Sequence, residues 1–136
     1  DFEIKIAGAP VTKRDKKYFE ILQSDITEKK LRDRVFFVGS IPYSRIEKFY
    51  WEGNIFVNLS ETGSLDKAVL EAIASGVNVF TSNEAFFKML PDQCLIHQIS
   101  ADKITDKLTT VCTVDPVVIM GHILPSTIST ITQFLK

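Results

Sequence analysis

An α/β domain built on a parallel, doubly wound sheet is the fold class this sequence predicts, and three observations carry the prediction. Five short stretches rich in β-branched and aromatic residues alternate with stretches of helical periodicity. One of them, VFFVG at 35–39, is wholly apolar, as expected when both faces of a sheet are covered. Residues 54–82 run strand, loop, helix, glycine stop and strand without interruption, the pattern of a βαβ crossover.

Residues 2–7 (FEIKIA) alternate apolar and polar and end in Gly8-Ala9-Pro10, a strand and its exit. Residues 12–30 are helical in pattern, with Tyr18, Phe19, Ile21, Leu22 and Ile26 on one side. The strand at 35–39 leads through Ser40-Ile41-Pro42 to a short helix over 43–52 that turns Ile46, Phe49 and Tyr50 inward. Residues 54–59 (NIFVNL) read as the third strand, and the loop at 60–63 has no apolar side chain to bury. The next helix is expected to begin near Ser64, with its hydroxyl as N-cap and Asp66 in the first turn, where negative charge suits the helix dipole. It should stop at Ser75-Gly76, Gly being the usual residue just past a helix end. Residues 77–82 (VNVFTS) form the fourth strand, 83–90 a short helix halted by Pro91, 94–99 (CLIHQI) the fifth strand and 101–112 a helix. Residues 117–120 fit strand or loop, and 125–135 fit a closing helix carrying Ile128, Ile131 and Leu135.

A length of 136 residues suits a single domain over 1–136 with a real core, and 45% hydrophobic with 24% charged residues is the balance of an ordinary globule. Sixteen basic against seventeen acidic residues give a net charge of −1, which argues against a broad polyanion-binding surface and so against nucleic acid as partner. The basic runs at 13–17 and 29–34 read as solvated helix ends. No apolar run approaches the ~18–20 residues that cross a bilayer, and no signal peptide is visible, so a cytoplasmic location is expected. The chain has no initiator Met and starts inside a strand-like stretch, so a fragment is expected. Cys94 and Cys112 are too few for a disulfide scaffold, and neither they nor His97 and His122 show metal-ligand spacing. There is also no Gly-x-Ser-x-Gly elbow and no Gly-x-Gly-x-x-Gly. Neither a metal nor a resident cofactor is therefore expected.

The helix after the third strand has two faces. Leu65, Val69 and Ile73, with Ala68, Leu70 and Ala72 beside them, recur at three- and four-residue spacing, whereas Ser64, Lys67, Glu71 and Ser75 fall on the other side. A strand, a small-residue loop and a helix N-terminus form the usual cradle for phosphate oxygens in α/β sheets. Lys67 and Glu71 fit either a ligand-binding face or a solvated i,i+4 pair, although Lys before Glu is the less favourable order for such a pair.

The segment GSLDKAVLEAIASGVNVFTSN resembles the donor-binding segment of GT-B glycosyltransferases, particularly glycosyltransferase family 4. In that family a strand ending in Ser leads to a Glu-Gly-Phe-Gly-like loop, an L-E-A-M-A-x-G helix and a P-V-I strand. Leu70-Glu71-Ala72-Ile73-Ala74-Ser75-Gly76 matches the later part almost letter for letter. The resemblance implies that Glu71 holds the ribose hydroxyls of a sugar nucleotide. With the phosphate cradle described above, Gly63, Ser64 and Leu65 are expected to offer backbone N–H groups to the diphosphate, with Lys67 adding charge. By the same likeness Gly39, Ser40 and Ile41 lie beside the nucleobase, Gly39 serving otherwise as a tight strand exit. The family's first Glu of its paired-Glu motif falls on Gly63, a departure, with Glu61 two residues earlier.

Element by element, IKIAG, VFFVG-IP and NIFVNLS are similar to the C-terminal Rossmann-like domain of that family. Its first strand and helix, with the Arg and Lys that grip the diphosphate, have no counterpart here. Taking strand 1 from the order 3-2-1-4-5-6 and renumbering leaves 2-1-3-4-5, itself a viable doubly wound sheet, and that five-strand order is expected. The implied function is the nucleotide-sugar-binding part of an enzyme moving a hexose from a nucleoside diphosphate sugar to a glycan or lipid-linked acceptor, as in polysaccharide biosynthesis. The acceptor would dock through a separate N-terminal domain, with peripheral membrane association of the full-length enzyme. The isolated fragment is expected to be inactive, and no residue is assigned a catalytic role. A non-catalytic nucleotide- or sugar-binding module is the alternative. A receiver-type signalling domain shares the topology but needs acidic residues near the end of its first strand, where Gly8-Ala9-Pro10 supplies none.

Overall fold

In a computed structural model of the protein, residues 3–60 and 63–108 are described. They fall into two compact units, Asp1–Arg45 and Ile46–Lys136. The strand or loop expected at 117–120, the helix expected at 125–135 and the last residues of the helix expected at 101–112 lie outside the described residues.

The first unit contains β1 (Ile4–Ala7), α1 (Lys13–Glu28) and β2 (Val35–Gly39). Helix α1 starts where it does because Thr12 and Asp15 form a capping box. The Thr12 hydroxyl accepts from the Asp15 N–H at 3.1 Å, and the Asp15 carboxylate accepts from the Thr12 N–H at 2.9 Å. It is closed just past its C-cap Lys29 by Lys30, whose left-handed φ of +55° lets Leu31 N–H return to the Ile26 carbonyl at 2.9 Å. Strands β1 and β2 pair in parallel, Ile4 with Val35 through to Ala7 with Gly39, with an irregularity between Ile6 and Ala7.

Helix α1 packs through Phe19, Leu22 and Ile26, all half-buried, with the Phe19 ring meeting Phe37 edge-on at 4.6 Å. Tyr18 and Ile21, expected on the same side, are instead 62% and 51% exposed, because the stripe that faces the sheet is the narrower one at positions 19, 22 and 26. Strand β2 is not covered on both faces either. Val35 and Phe37 are half-buried, while Phe36 and Val38 point the other way and stay exposed. The helix of this unit lies on one face only, and none of its described residues is fully buried.

The second unit holds most of α2 (Tyr43–Trp51), then β3 (Ile55–Asn58), α3 (Lys67–Ala74), β4 (Asn78–Thr81) and α4 (Ala101–Leu108). Strands β3 and β4 pair in parallel, Ile55 with Asn78 through to Asn58 with Thr81. Val69, Ala72, Val79, Phe80, Phe86 and Cys94 are wholly buried, and the core runs from Tyr50 to Ile96.

The five-strand expectation does not hold among the described residues: there are two two-stranded parallel sheets, β1-β2 and β3-β4. Both pairs are neighbours that the order 2-1-3-4-5 requires, but no ladder joins β1 to β3. The fifth strand is reduced to one parallel bridge, Thr81 with Leu95, supported by Ile96 N–H on the Thr81 carbonyl at 2.8 Å. Pro91 leads into a 3₁₀ turn at Asp92–Cys94, and beyond Ile96 the chain swings outward, with His97, Gln98 and Ile99 exposed. The helix expected at 83–90 is likewise only a 3₁₀ turn, Glu84–Phe86.

Candidate functional site

The candidate site forms where β3 and β4 end and α3 begins, and a chain of side-chain hydrogen bonds shapes it. Asp66, not Ser64, is the N-cap of α3: one carboxylate oxygen accepts from Ala68 N–H at 3.1 Å and the other from the Asn58 amide at 2.9 Å. An aspartate outcompetes the serine because its two oxygens satisfy the helix and the strand end at once. The Asn58 side-chain carbonyl accepts from the Thr81 hydroxyl at 2.9 Å, and that hydroxyl accepts from Asn83 N–H at 3.1 Å. The Asn83 amide donates to the Ser64 carbonyl at 2.8 Å while its oxygen accepts from Ala85 N–H at 3.0 Å. Thr81 and Asn83 are wholly buried, Asn58 and Asp66 half-buried, and every side-chain group named has a partner. Hydrophobic periodicity does not reveal the relay. Its signal is a polar residue at the carboxyl end of each strand, Asn58 after Ile55–Val57 and Thr81 after Val79-Phe80.

Ahead of Asp66 the chain passes through Gly63 at φ +66°, a left-handed conformation that favours glycine. Ser64 and Leu65 follow, both exposed. The expectation that Leu65 shares an apolar helix face with Val69 and Ile73 is corrected: Leu65 precedes the N-cap and is 46% exposed, while Val69 and Ile73 are buried. For the same reason Ser64 is not on a helix face with Lys67 and Glu71.

Lys67 and Glu71 do pair, at 3.3 Å, but unequally: the lysine side chain is 63% exposed and the glutamate 14%. Glu71 is therefore not a solvated surface residue. Its second oxygen lies 3.3 Å from the Tyr50 hydroxyl, which is also 3.2 Å from the Ala68 carbonyl. Burial, then the charges of Glu71 and Asp66, push the Tyr50 phenol well above its ordinary range, so it remains a hydrogen-bond donor. Thus Gly63, Ser64, Leu65, Lys67 and Glu71 line one stretch of the second unit. Gly39, Ser40 and Ile41 belong to the first, at the exit of β2. Gly39 has φ +71° and its carbonyl accepts from Gly8 N–H at 2.8 Å, a tight strand exit.

Chemically, the stretch from Gly63 to Glu71 offers an anchored carboxylate able to accept from hydroxyl groups, a helix start with partial positive charge, and the exposed ammonium of Lys67. Among the described residues no cluster of His, Cys, Asp and Glu could hold a metal ion, and no helix is long and apolar enough to cross a membrane.

Residues 1–110 match the family described as glycosyl transferases group 1. A stretch of 67 residues is 36% identical to a phosphatidylinositol N-acetylglucosaminyltransferase subunit of Arabidopsis thaliana, covering 48% of this chain and 15% of that protein. No solved structure matches. A match over so much of the chain, on a mixed α/β framework of parallel strands, shows that this chain belongs to the glycosyl transferases group 1 family.

Proposed function

We propose that this chain is the donor-binding part of a GT-B glycosyltransferase of the family 4 type, taking the nucleoside diphosphate of a hexose donor. The observation that carries the reading is Glu71: a carboxylate only 14% exposed, anchored on a buried helix, in the Leu70–Gly76 segment that the resemblance singles out. A glutamate so withdrawn from water needs a reason, and accepting the ribose hydroxyls supplies one. Gly63, Ser64 and Leu65 precede the helix, where backbone N–H groups and the dipole favour a diphosphate, and Lys67 adds charge from the exposed side. The acceptor, a glycan or lipid-linked sugar, binds elsewhere in the full-length protein.

Gly63 favours one second reading. Glycine, which suits the left-handed backbone there, has no side chain, so the position of the family's first Glu lacks a carboxylate, as in a non-catalytic nucleotide- or sugar-binding module. Calorimetry on the full-length protein with uridine, guanosine and adenosine diphosphates, each with and without an attached hexose, tests both. Glu71→Ala should weaken the tightest of these about ten- to a hundredfold, the worth of one charge-assisted hydrogen bond. Unchanged affinity in a folded Glu71→Ala protein overturns the donor-site assignment. Donor binding without turnover in the presence of acceptors favours the module.

A further inference from the structure

The relation between Tyr50 and Glu71 goes beyond a family motif. Tyr50 sits on α2 and Glu71 on α3, twenty-one positions later in the chain. The Tyr50 ring is 6% exposed and meets Phe56 edge-on at 5.6 Å, so its hydroxyl is delivered from a fixed platform. Lys67, the other partner of Glu71, is 63% exposed on a long flexible stem and fixes little.

We propose that Tyr50 is a positioning residue for donor binding, its hydroxyl setting the plane of the Glu71 carboxylate that receives the ribose. The inference rests on the donor-site reading of Glu71. The terminal torsion of a glutamate is broad, so an unanchored carboxylate samples many orientations and must be ordered when a vicinal diol binds. Here Glu71 Oε2 faces the Tyr50 hydroxyl and Oε1 faces Lys67 Nζ, each at 3.3 Å. Each oxygen has a second acceptor site, so an anchored carboxylate still presents one to each hydroxyl of a diol. The Tyr50 hydroxyl has a single proton and two acceptors in reach, the Ala68 carbonyl and the Glu71 carboxylate. The charged acceptor makes the stronger bond. A purely structural tie between α2 and α3 is the competing explanation, and it predicts a loss of stability with no dependence on the ribose.

The discriminating measurement uses the full-length protein, the tightest binder among uridine, guanosine and adenosine diphosphates, and that compound's 2′,3′-dideoxy analogue. Tyr50→Phe keeps the ring and removes only the hydroxyl. It should weaken the ribose compound about two- to tenfold, the ordering cost of one side chain, and leave the dideoxy compound unchanged. Added to Glu71→Gln, it should cost nothing further. Full affinity in Tyr50→Phe while Glu71→Gln is weakened overturns the positioning role and leaves the donor site standing. Full affinity in Glu71→Gln overturns the donor site and this inference with it. Should Tyr50→Phe fail to fold, 3-fluorotyrosine at position 50 keeps the shape with a more acidic hydroxyl. A ribose-to-dideoxy affinity ratio that then stays at the parent value overturns the proposal.

Discussion

Asp15 shows how a single carboxylate sets a helix start and how that start responds to pH. Hydrogen bonds from the Thr12 backbone and side chain, with Val11 N–H behind them, hold its pKa below the ordinary carboxylate range. A lowered folded-state value means the carboxylate's contribution is present above the ordinary value of about 3.9 and is lost as pH falls through the folded one. The first turn of α1 should therefore be intact from neutral pH down to the carboxylate range and fray only below it. A carboxyl titration followed by NMR checks this: an Asp15 midpoint at or above that of an unstructured peptide contradicts the capping box. At this scale the sequence was partly legible. Thr12 stands at the helix start that the periodicity indicates, and Glu71 stands in a recognisable segment. The withdrawal of Glu71 from water was not legible, because it depends on Tyr50, twenty-one positions away in sequence.

The element that ties the second unit together is α3, and a position in its first turn and one just ahead of its N-cap respond differently to the same change. Val69 is wholly buried, so Val69→Asp places a charge without a partner in the core, at a cost of several kcal/mol that rivals the stability of a small domain. The variant should lose the cooperative thermal transition of this unit. Leu65→Asp, ahead of the N-cap and 46% exposed, should change stability by only about 0.5 kcal/mol. Thermal melts followed by circular dichroism compare the two, and equal losses would mean that the helix begins earlier than Lys67. Periodicity found the stripe of α3 but placed its start two residues too early. A serine and an aspartate both suit an N-cap, and the choice is made by Asn58, which belongs to another strand. The fifth strand was misjudged for a related reason: an apolar run becomes a strand only where a ladder continues, and here it stops after Thr81 and Leu95.

Across the whole molecule, burial is uneven. Every fully buried described residue lies between Tyr50 and Asn83 or between Phe86 and Ile96, and none lies in the first unit. Local opening costs least where little apolar surface is sealed. Amide hydrogen exchange should accordingly be slowest in β4, at Val79 and Phe80, and faster throughout β1 and β2. Equal protection of β2 and β4 would contradict this distribution of the core. The alternation of strands and helices was legible from sequence at this scale, whereas the extent of the sheet was not, since ladders depend on which strands meet. The exposed side of the first sheet has a further consequence, for self-association. Phe36 and Val38 present an apolar stripe there, of the kind that invites a second chain to stack against it. The parallel register sets Lys5 directly beside Phe36, and Glu3 lies 3.7 Å from the Lys5 ammonium. Charge is thereby interleaved with the stripe where another sheet would have to press, and stacking would require stripping water from an ammonium.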